Sequence, residues 1–515
     1  MNKLLLISIA MASAVWGAEW QGEGHEPGDW TTVPIVRTAS YPGEQGLLAM
    51  QALLQEGGNP NTKSPAGGRT PLHIAANFGN AEMEKLLLEA GADARATDTS
   101  GNNALHSVAC ASVTHTENGE EAEECLQEIT KLLIHAGADI NHANQHGVTP
   151  LIIAANNNRC LVEPFIRAGA RLPQSGGEDT ERQIKAILNY NAAYILLQNG
   201  LNPNLETKGG KSILQMAVEA RAESTVAALI EKGANVNYCG NGASVLWYTI
   251  DHDSYSKRGD RLAIAQRLLN AGADPRQIYN GSTVLHDCAA HGDASLLYRL
   301  LQHSPDAVDV RTRNQDTPLA VAASVANPDM GYMLISAGAN VNAMNSDPVA
   351  GLSGKGFCVA AKAAGSGKEH DIETLELILA AGANFDEAAQ KNIMHAALNT
   401  GTPQMVKHLL TKGIDANTKL AHGVPLLQVA VNNENPAVSA ELLAAGANAN
   451  AANDAGLTAL HWAVQSPLDK SSWQKVELLL QAGANLYHKD AYGRTPLDCA
   501  NAAMVQKLRQ SGYVK

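Results

Sequence analysis

The stretch Thr70-Pro71-Leu72-His73 opens a unit of sequence that returns along the chain. Related tetrads begin at Asn103, Thr149, Thr283, Thr317, Thr458 and Thr495. A second marker recurs in phase with the tetrads at the far end of each unit, as in Gly91-Ala92-Asp93 and Gly137-Ala138-Asp139. The first two tetrads are 33 residues apart, and the same spacing separates the tetrads that begin at Asn392, Pro425 and Thr458. Two markers that recur together at a fixed period indicate an array of repeated structural units.

Each unit is predicted to form two short helices followed by an extended turn. Thr70 is a good N-cap, and Pro71 fits the first helical turn, where its missing N–H costs nothing. A second helix carries Met83 and Leu87 at helical spacing, on the face toward the neighbouring units. Gly91 ends that helix in a left-handed conformation. Because no unit of this size can bury its apolar face alone, stacking must supply the core.

The period of about 33 residues with Thr-Pro-Leu-His resembles the ankyrin-repeat family. The resemblance runs from about Glu44 to nearly the C-terminus. It implies an all-α ankyrin-repeat solenoid of about 13 helix-turn-helix units with projecting β-hairpin loops. Few aromatic residues and 45 glycines agree with short helices and tight turns.

The first 43 residues lie outside the repeat pattern. Lys3, a short apolar stretch from Leu4 to about Ala14, and small residues Gly17 and Ala18 predict a signal peptide over residues 1–18. The alternatives are an uncleaved anchor and a fortuitous apolar start. Residues 19–43 lack a sustained helical period and are expected to form an irregular extension.

The array is expected to fill residues 44–515. Its predicted parts are a capping helix within 44–68, clear repeats at 69–170, a degenerate repeat at 171–210, repeats at 211–347, an enlarged and degenerate repeat at 348–390, repeats at 391–493 and a C-terminal capping repeat at 494–515.

The composition and the N-terminal segment indicate which classes of partner and which cellular compartment to expect. Lys and Arg number 38 against 51 Asp and Glu, a net charge of −13, which repels polyphosphate backbones and argues against a nucleic-acid partner. The N-terminal apolar stretch is shorter than the roughly 20 residues of a membrane span, so no stable membrane insertion is expected. With the signal cleaved, the protein is expected to be secreted or periplasmic.

The seven cysteines are dispersed, and their odd number leaves at least one without an internal partner. Cys110 is expected to end one helix and Cys125 to start the next. A disulfide between them would close the insertion 111–124 and add about 3 kcal/mol in the chain-entropy model. Cys160 lies at a similar level one repeat on and is the competing partner.

The tetrad histidines invite a metal or acid–base interpretation, but they recur once per repeat. These residues are His73, His106, His286, His395 and His461. Neighbouring copies would lie on the order of 10 Å apart, too far to share a metal ion. The family resemblance implies instead that each imidazole hydrogen-bonds its capping Thr and nearby backbone. No catalytic residue, metal site or cofactor is predicted, because no catalytic motif appears and repeats account for almost every segment.

A protein partner is expected to bind the concave face, formed by hairpin tips and first-helix ends, as is usual for the family. Packing positions stay Leu, Ala or Gly, whereas tip positions vary and include Tyr and Arg, which are common binding anchors. Trp247 replaces a tetrad histidine, and packing inward is an equal alternative for it. The predicted contact residues are Phe78, Gln145, His146, Tyr238, Trp247, Tyr248, Tyr279, Asn280, His291, Arg311, Arg313, Lys489, Tyr492 and Arg494.

The sequence therefore predicts a non-catalytic scaffold for protein–protein interaction. An exported effector or toxin-neutralising binder is an alternative within the binding class. A less favoured alternative is an enzyme with its site in an insertion or degenerate unit, such as Gly351 to Lys368, where the titratable groups are Lys355, Lys362 and Lys368.

Overall fold

The structure is a computed structural model that divides into two compact units, Met1–Asn241 and Gly242–Lys515. It describes residues 34–514 apart from 66, 112–118, 178, 190–191, 241, 251–257, 347–356 and 401, and only the backbone of 119–122 and 258–260. The predicted signal peptide, most of the extension at 19–43, and residues 348–356 of the enlarged and degenerate repeat predicted at 348–390 lie outside these residues.

The first unit consists of short helices joined by turns. Its helices are α1 (Pro34–Thr38), α2 (Gly43–Gln55), α3 (Pro71–Asn77), α4 (Ala81–Glu89), α5 (Ala104–Cys110), α6 (Gly119–His135), α7 (Pro150–Asn157), α8 (Val162–Arg167), α9 (Thr180–Asn189), α10 (Ala193–Gln198), α11 (Ile213–Glu219) and α12 (Glu223–Glu231). A 3-10 turn, Arg159–Leu161, leads into α8.

The second unit continues the same alternation. A 3-10 helix, Val245–Thr249, takes the place of a first helix. The α-helices that follow are α13 (Arg258–Asn270), α14 (Val284–His291), α15 (Ala294–His303), α16 (Pro318–Ser324), α17 (Pro328–Ser336), α18 (Val359–Ala364), α19 (Asp371–Ala380), α20 (Glu387–Thr400), α21 (Pro403–Thr411), α22 (Leu426–Ala430), α23 (Pro436–Ala444), α24 (Ala459–Ala463), α25 (Lys470–Gln481), α26 (Pro496–Cys499) and α27 (Ala502–Gln510).

The helix ends follow local capping chemistry. The side chain of Asn80 accepts a hydrogen bond from Met83 N at 3.1 Å and starts α4. Gly91 follows the end of that helix with φ +87°, a conformation that costs energy for a residue with a side chain. The helix boundaries expected from the tetrad and from the Gly-Ala marker are therefore confirmed in the first full repeat.

Helix pairs stack in sequence order inside each unit. First helices pack on first helices, α3 on α5 and α5 on α7, and second helices on second helices, α2 on α4 and α4 on α6. The second unit has the corresponding two rows, which alternate along the chain. The row of first helices consists of α14, α16, α18, α20, α22, α24 and α26, and the row of second helices consists of α13, α15, α17, α19, α21, α23 and α25. Ala75 and Ala76 are fully buried because adjacent first helices approach closely. The all-α stack of helix pairs is confirmed.

The hairpins are organised by side chains more than by strand pairing. Asp98 Oδ1 accepts from the backbone N of Ser100 and Asn102, at 2.9 and 2.8 Å. Within the described residues the hairpins contain isolated bridges, such as Glu206 with Ser212, and no longer strand. Successive tips are joined by single backbone hydrogen bonds, for example Gln145 N to Ser100 O at 3.1 Å.

Two expectations about helices are corrected. Pro34–Thr38 is helical, not irregular, because Ile35 and Val36 are buried and Thr38 Oγ1 donates to Pro34 O at 2.8 Å. The tetrad that begins at Asn392 lies inside the 14-residue helix α20. Asp386 caps this helix by accepting from Ala389 N at 2.8 Å, so the segment before the tetrad is helical and forms no hairpin turn.

Candidate functional site

Four tetrad histidines tie each repeat to the next one. His73 Nδ1 lies 2.8 Å from Thr70 Oγ1, and its Nε2 lies 2.9 Å from the backbone oxygen of Asn102, the residue just before the following tetrad. Equivalent links join His106 to Asn103 and Val148, His286 to Thr283 and Asp316, and His461 to Thr458 and Arg494. The structural role expected from the family resemblance is present at these four positions.

Burial lowers the pKa of these imidazoles, to about 4 for His106 and for His286. They are therefore neutral at physiological pH, with both ring nitrogens used in hydrogen bonds. Burial also lowers the pKa of His395. This residue differs in its contacts, because its ring stacks on Phe357 at 6.4 Å and Asn399 lies beside it at 3.3 Å.

An aromatic cluster opens the second unit. The ring of Trp247 contacts those of Tyr248 and Tyr279, with centroids 5.4 and 5.2 Å away. Its Nε1 donates to Asp287 Oδ2 at 3.0 Å, and Ser282 Oγ lies 3.3 Å from the other carboxylate oxygen. Trp247 links adjacent repeats, as a tetrad histidine does. It is half-buried, so it packs against its neighbours and is also partly exposed. Sequence reasoning missed Asp287.

The two arginines predicted as contact residues on the next tip have different surroundings. Arg311 Nη1 donates to Gln315 O and Met344 O, both at 2.8 Å, so this guanidinium holds two hairpins together. Arg313 is exposed, and its stem packs against Gly281. One repeat further on, Lys362 Nζ lies 3.3 Å from Asp316 Oδ1. This ion pair was not predicted, and it occupies one of the lysines considered for an enzymatic site.

In the first unit the predicted residues lie on separate repeats. Phe78 is half-buried at the end of α3. Tyr238 donates its hydroxyl to Gly210 O at 3.1 Å, and burial together with Glu206 raises its pKa to about 12. Gln145 and His146 are exposed at one tip. The structure brings only this last pair together.

The last hairpin of the second unit presents an ordered, exposed surface. Arg494 Nε donates to Asp490 Oδ2 at 3.0 Å, and its guanidinium lies over the ring of Tyr492, 5.2 Å from the centroid. Tyr492 is 80% exposed and Lys489 is exposed. Trp462, 42% exposed one repeat earlier, was not predicted. Its position directly after a tetrad histidine gives no signal of exposure, because Ile74 at the same position of the first full repeat is buried.

His291 and Asn280, the remaining predicted residues, are exposed. His291 accompanies Asn327, Lys368 and Glu373 in the lining of an open groove of about 540 Å³ across three helix-to-helix turns. Asn280 has φ +50° at a tip, a conformation that Asn tolerates. Among the described residues, no group of three or more His, Cys, Asp or Glu side chains could hold a metal ion.

The structure shows all seven cysteines as thiols. Cys110 ends α5 as expected, whereas Cys125 lies six residues inside α6, because that helix begins at Gly119. Burial raises the pKa of the Cys110 and Cys160 thiols. A disulfide between Cys110 and Cys125 stays a prediction.

Comparisons with known proteins follow the repeats. A family model for ankyrin repeats in three copies matches residues 39–118, 254–345 and 426–513, and a single-repeat model matches 100–145. These matches cover more than half of the chain. The chain belongs to the ankyrin-repeat family. Proteins built from ankyrin repeats generally mediate protein–protein interaction and are typically not enzymes.

The chain is similar to curated relatives over about a third of its length. It is 28% identical over 181 residues to human Neurogenic locus notch homolog protein 1, covering 34% of this chain and 6% of that protein. The Danio rerio protein of the same name is 29% identical over 160 residues, covering 30% and 6%. The matched part of this ankyrin-repeat protein thus spans a small fraction of the length of these relatives.

Two solved structures are also similar to it. The human ASB11 ankyrin repeat domain is 22% identical with a TM-score of 0.38, covering 44% of this chain and 97% of that one. The ankyrin repeat domain of Bcl-3 is 25% identical with a TM-score of 0.35, covering 45% and 99%. Within the described residues of this ankyrin-repeat protein, no helix is both long enough and apolar enough to cross a bilayer.

Proposed function

We propose that this protein is a non-catalytic scaffold that binds a protein partner through its tip face. The tip face means the hairpin tips around Asn280, Arg313 and Tyr492 of the second unit, together with Trp462 on a first helix of the same unit. One observation carries the proposal: aromatic and charged side chains are exposed there, while the packing positions of the same repeats are buried. Tyr492 and Trp462 are 80% and 42% exposed, whereas the adjacent tetrad residues Leu460 and His461 are fully buried.

The compartment is part of the proposal. The basic start and short apolar stretch of residues 1–18 support export, with the mature protein secreted or periplasmic. A periplasmic scaffold and an exported effector or toxin-neutralising binder differ in where the mature protein accumulates. An epitope-tagged copy confined to a periplasmic extract supports the first and contradicts the second.

The binding face is tested by affinity capture with the full chain. Arg313→Glu and Tyr492→Ala change exposed tip residues whose side chains make no hydrogen bond to another repeat among the described residues, so the fold should persist. Each is expected to weaken capture of the bound protein by tenfold or more, in the range of a hot-spot residue, as measured by quantitative mass spectrometry.

Lys407→Glu is the matched control, because Lys407 is exposed on the second helix α21, away from the tips. It should leave capture unchanged. If Arg313→Glu and Tyr492→Ala retain the partner while Lys407→Glu loses it, the partner binds the outer helices and the proposed face is wrong.

A further inference from the structure

In the first unit, most hairpin tips are linked to the next tip by a hydrogen bond, but one tip packs against a helix instead. Thr99 N donates to Gly67 O and Gln145 N to Ser100 O, so three successive tips are linked. The next tip-to-tip bond that the structure gives joins Gly176 N to Glu206 O at 3.0 Å. Between these two series, the tip at Gln145–Val148 lies against the side of α9, the first helix of the degenerate repeat.

Close packing fixes this junction. A Cβ built on Gly147 would lie 2.4 Å from Arg182 Cβ, so only glycine lets the tip approach α9 this closely. Gly147 also has φ +75°, which favours glycine independently. The two elements enclose a groove of about 380 Å³, called the tip groove here. Its lining residues are Gln145, His146, Val148, Arg182, Lys185, Ala186 and Asn189.

The lining of the tip groove carries basic groups and no acidic one. Arg182 and Lys185 lie three residues apart on the exposed side of α9, with side chains 66% and 61% exposed, and His146 faces them from the tip. This is unusual in a chain with a net charge of −13. The groove floor, formed by Val148 and Ala186, is buried and apolar.

The acidic groups nearby belong to the rim of the tip groove. Asp179 Oδ1 lies 3.8 Å from Arg182 Nη1, and Glu181 Oε1 lies 2.8 Å from Lys185 Nζ. On the following hairpin, Lys211 pairs with Glu219. Exposed ion pairs of this kind contribute about 0–1 kcal/mol, so Arg182 and Lys185 can exchange these partners for carboxylates of a bound chain at little cost.

We propose that the tip groove binds an acidic segment of the partner protein, with carboxylates held by Arg182 and Lys185 and a small apolar side chain over Val148 and Ala186. The inference rests on the proposed scaffold function and specifies the chemistry of the partner. The degenerate repeat thereby acquires a function, since its helix α9 presents two cations beside the neighbouring tip.

Fluorescence anisotropy with labelled hexaglutamate and hexaglutamine, added to the full chain, tests the proposal. Hexaglutamate is expected to bind at least about tenfold more tightly than hexaglutamine, with affinity falling as salt rises. The double variant Arg182→Glu/Lys185→Glu should lose about tenfold in hexaglutamate affinity and gain affinity for hexalysine. Thermal unfolding of each variant verifies that the fold is retained.

A matched double variant controls for net charge. Lys85→Glu/Lys131→Glu changes the charge equally on exposed positions of α4 and α6, and should leave hexaglutamate affinity within about twofold. Equal binding of the two peptides, or equal losses in the two double variants, would overturn the groove assignment. Captured partners that still depend on Arg313 and Tyr492 would then leave the scaffold function standing, so the two failures are distinguishable.

Discussion

At the scale of single residues, a polar side chain at the fourth tetrad position has to find hydrogen-bond partners from a buried site. Histidine does so in four repeats, and Gln215 does so differently, accepting from Ser212 N at 2.9 Å. At Gln428 the preceding cap is Pro425, which has no N–H to donate. Within the described part of the chain, Gln428 Oε1 accordingly lacks a hydrogen-bond partner. The tetrad thus tolerates several side chains, and a cap that has an N–H can give the fourth residue a hydrogen-bond partner.

Neutral buried histidines predict acid-sensitive stability. Because the folded pKa values of His106 and His286 are lowered from 6.5 to about 4, the unfolded chain binds more protons between these limits. The free energy of unfolding should therefore fall as pH decreases from about 6.5 to 4, by up to about 3 kcal/mol for each histidine. Urea unfolding at a series of pH values measures this slope.

The variant His106→Gln/His286→Gln should flatten that slope, since glutamine can complete a cap, as Gln215 shows, and does not titrate. His146→Gln, at an exposed tip, is the control and should leave the dependence of the unfolding free energy on pH unchanged. A double variant that remains as acid-sensitive as the parent would place the responsible groups elsewhere.

Glu84 is a buried carboxyl group at an apolar position of α4. Its equivalents in other second helices include Val226, Leu297 and Val406, all fully buried. Burial raises the pKa of Glu84 well above its usual value, and neither carboxyl oxygen has a hydrogen-bond partner among the described residues. Burying a carboxyl group without a hydrogen-bond partner costs stability.

The variant Glu84→Leu should raise the free energy of unfolding by about 1–3 kcal/mol at neutral pH. Because the folded pKa is raised, the parent loses stability as pH rises above 4.5 through the folded pKa, and the difference between variant and parent should grow over that range. Glu82→Leu, exposed on the same helix, should change stability by less than about 0.5 kcal/mol. Equal effects of the two substitutions would contradict the explanation.

At the scale of elements, asparagines near the starts of successive hairpins form a ladder. Asn450 Nδ2 donates to Gly483 O at 2.9 Å, and its Oδ1 accepts from Asn485 N at 2.8 Å. Asn417 makes the same pair of bonds one repeat earlier, to Gly446 and Asn448. One side chain thus satisfies both the helix C-terminus and the next turn.

Replacing Asn450 with Ala should lower the free energy of unfolding by about 1–2 kcal/mol, since two hydrogen bonds at exposed positions are lost. Asn432→Ala is the control, because Asn432 is exposed and outside the ladder. Chemical denaturation of both variants at one pH gives the comparison. Equal midpoints for Asn450→Ala and the parent would show that water replaces the ladder without loss.

Elements with strong local signals were predictable, and those fixed by distant contacts were not. Thr70 and Gly91 define helix ends by short-range chemistry, which a sequence displays directly. The short helix Pro34–Thr38 forms because Ile35 and Val36 are buried, and part of the covering surface is α3, distant in sequence. For the same reason the tip residues could be named, whereas Asp287, Arg182 and Lys185 could not. Their relevance comes from the neighbour that they face.

At the scale of the whole molecule, a stack of repeats has mainly nearest-neighbour interactions. The contacts inside each unit follow this rule, because helices pack on the helices of the adjacent repeat. A local change in stability should therefore stay local. Unfolding of such an array need not be two-state, so a single midpoint describes it incompletely.

Hydrogen exchange followed by mass spectrometry can resolve this locality with two of the variants above. Asn450→Ala should speed exchange in α22 to α25 and leave α3 to α5 unchanged, whereas Glu84→Leu should slow exchange in α3 to α5 and leave α22 to α25 unchanged. The reciprocal pattern is the essential result, because it cannot arise from a general change in solvent or charge. A uniform shift over both regions in either variant would mean that the chain opens as one cooperative body, and nearest-neighbour packing would then fail to explain its stability.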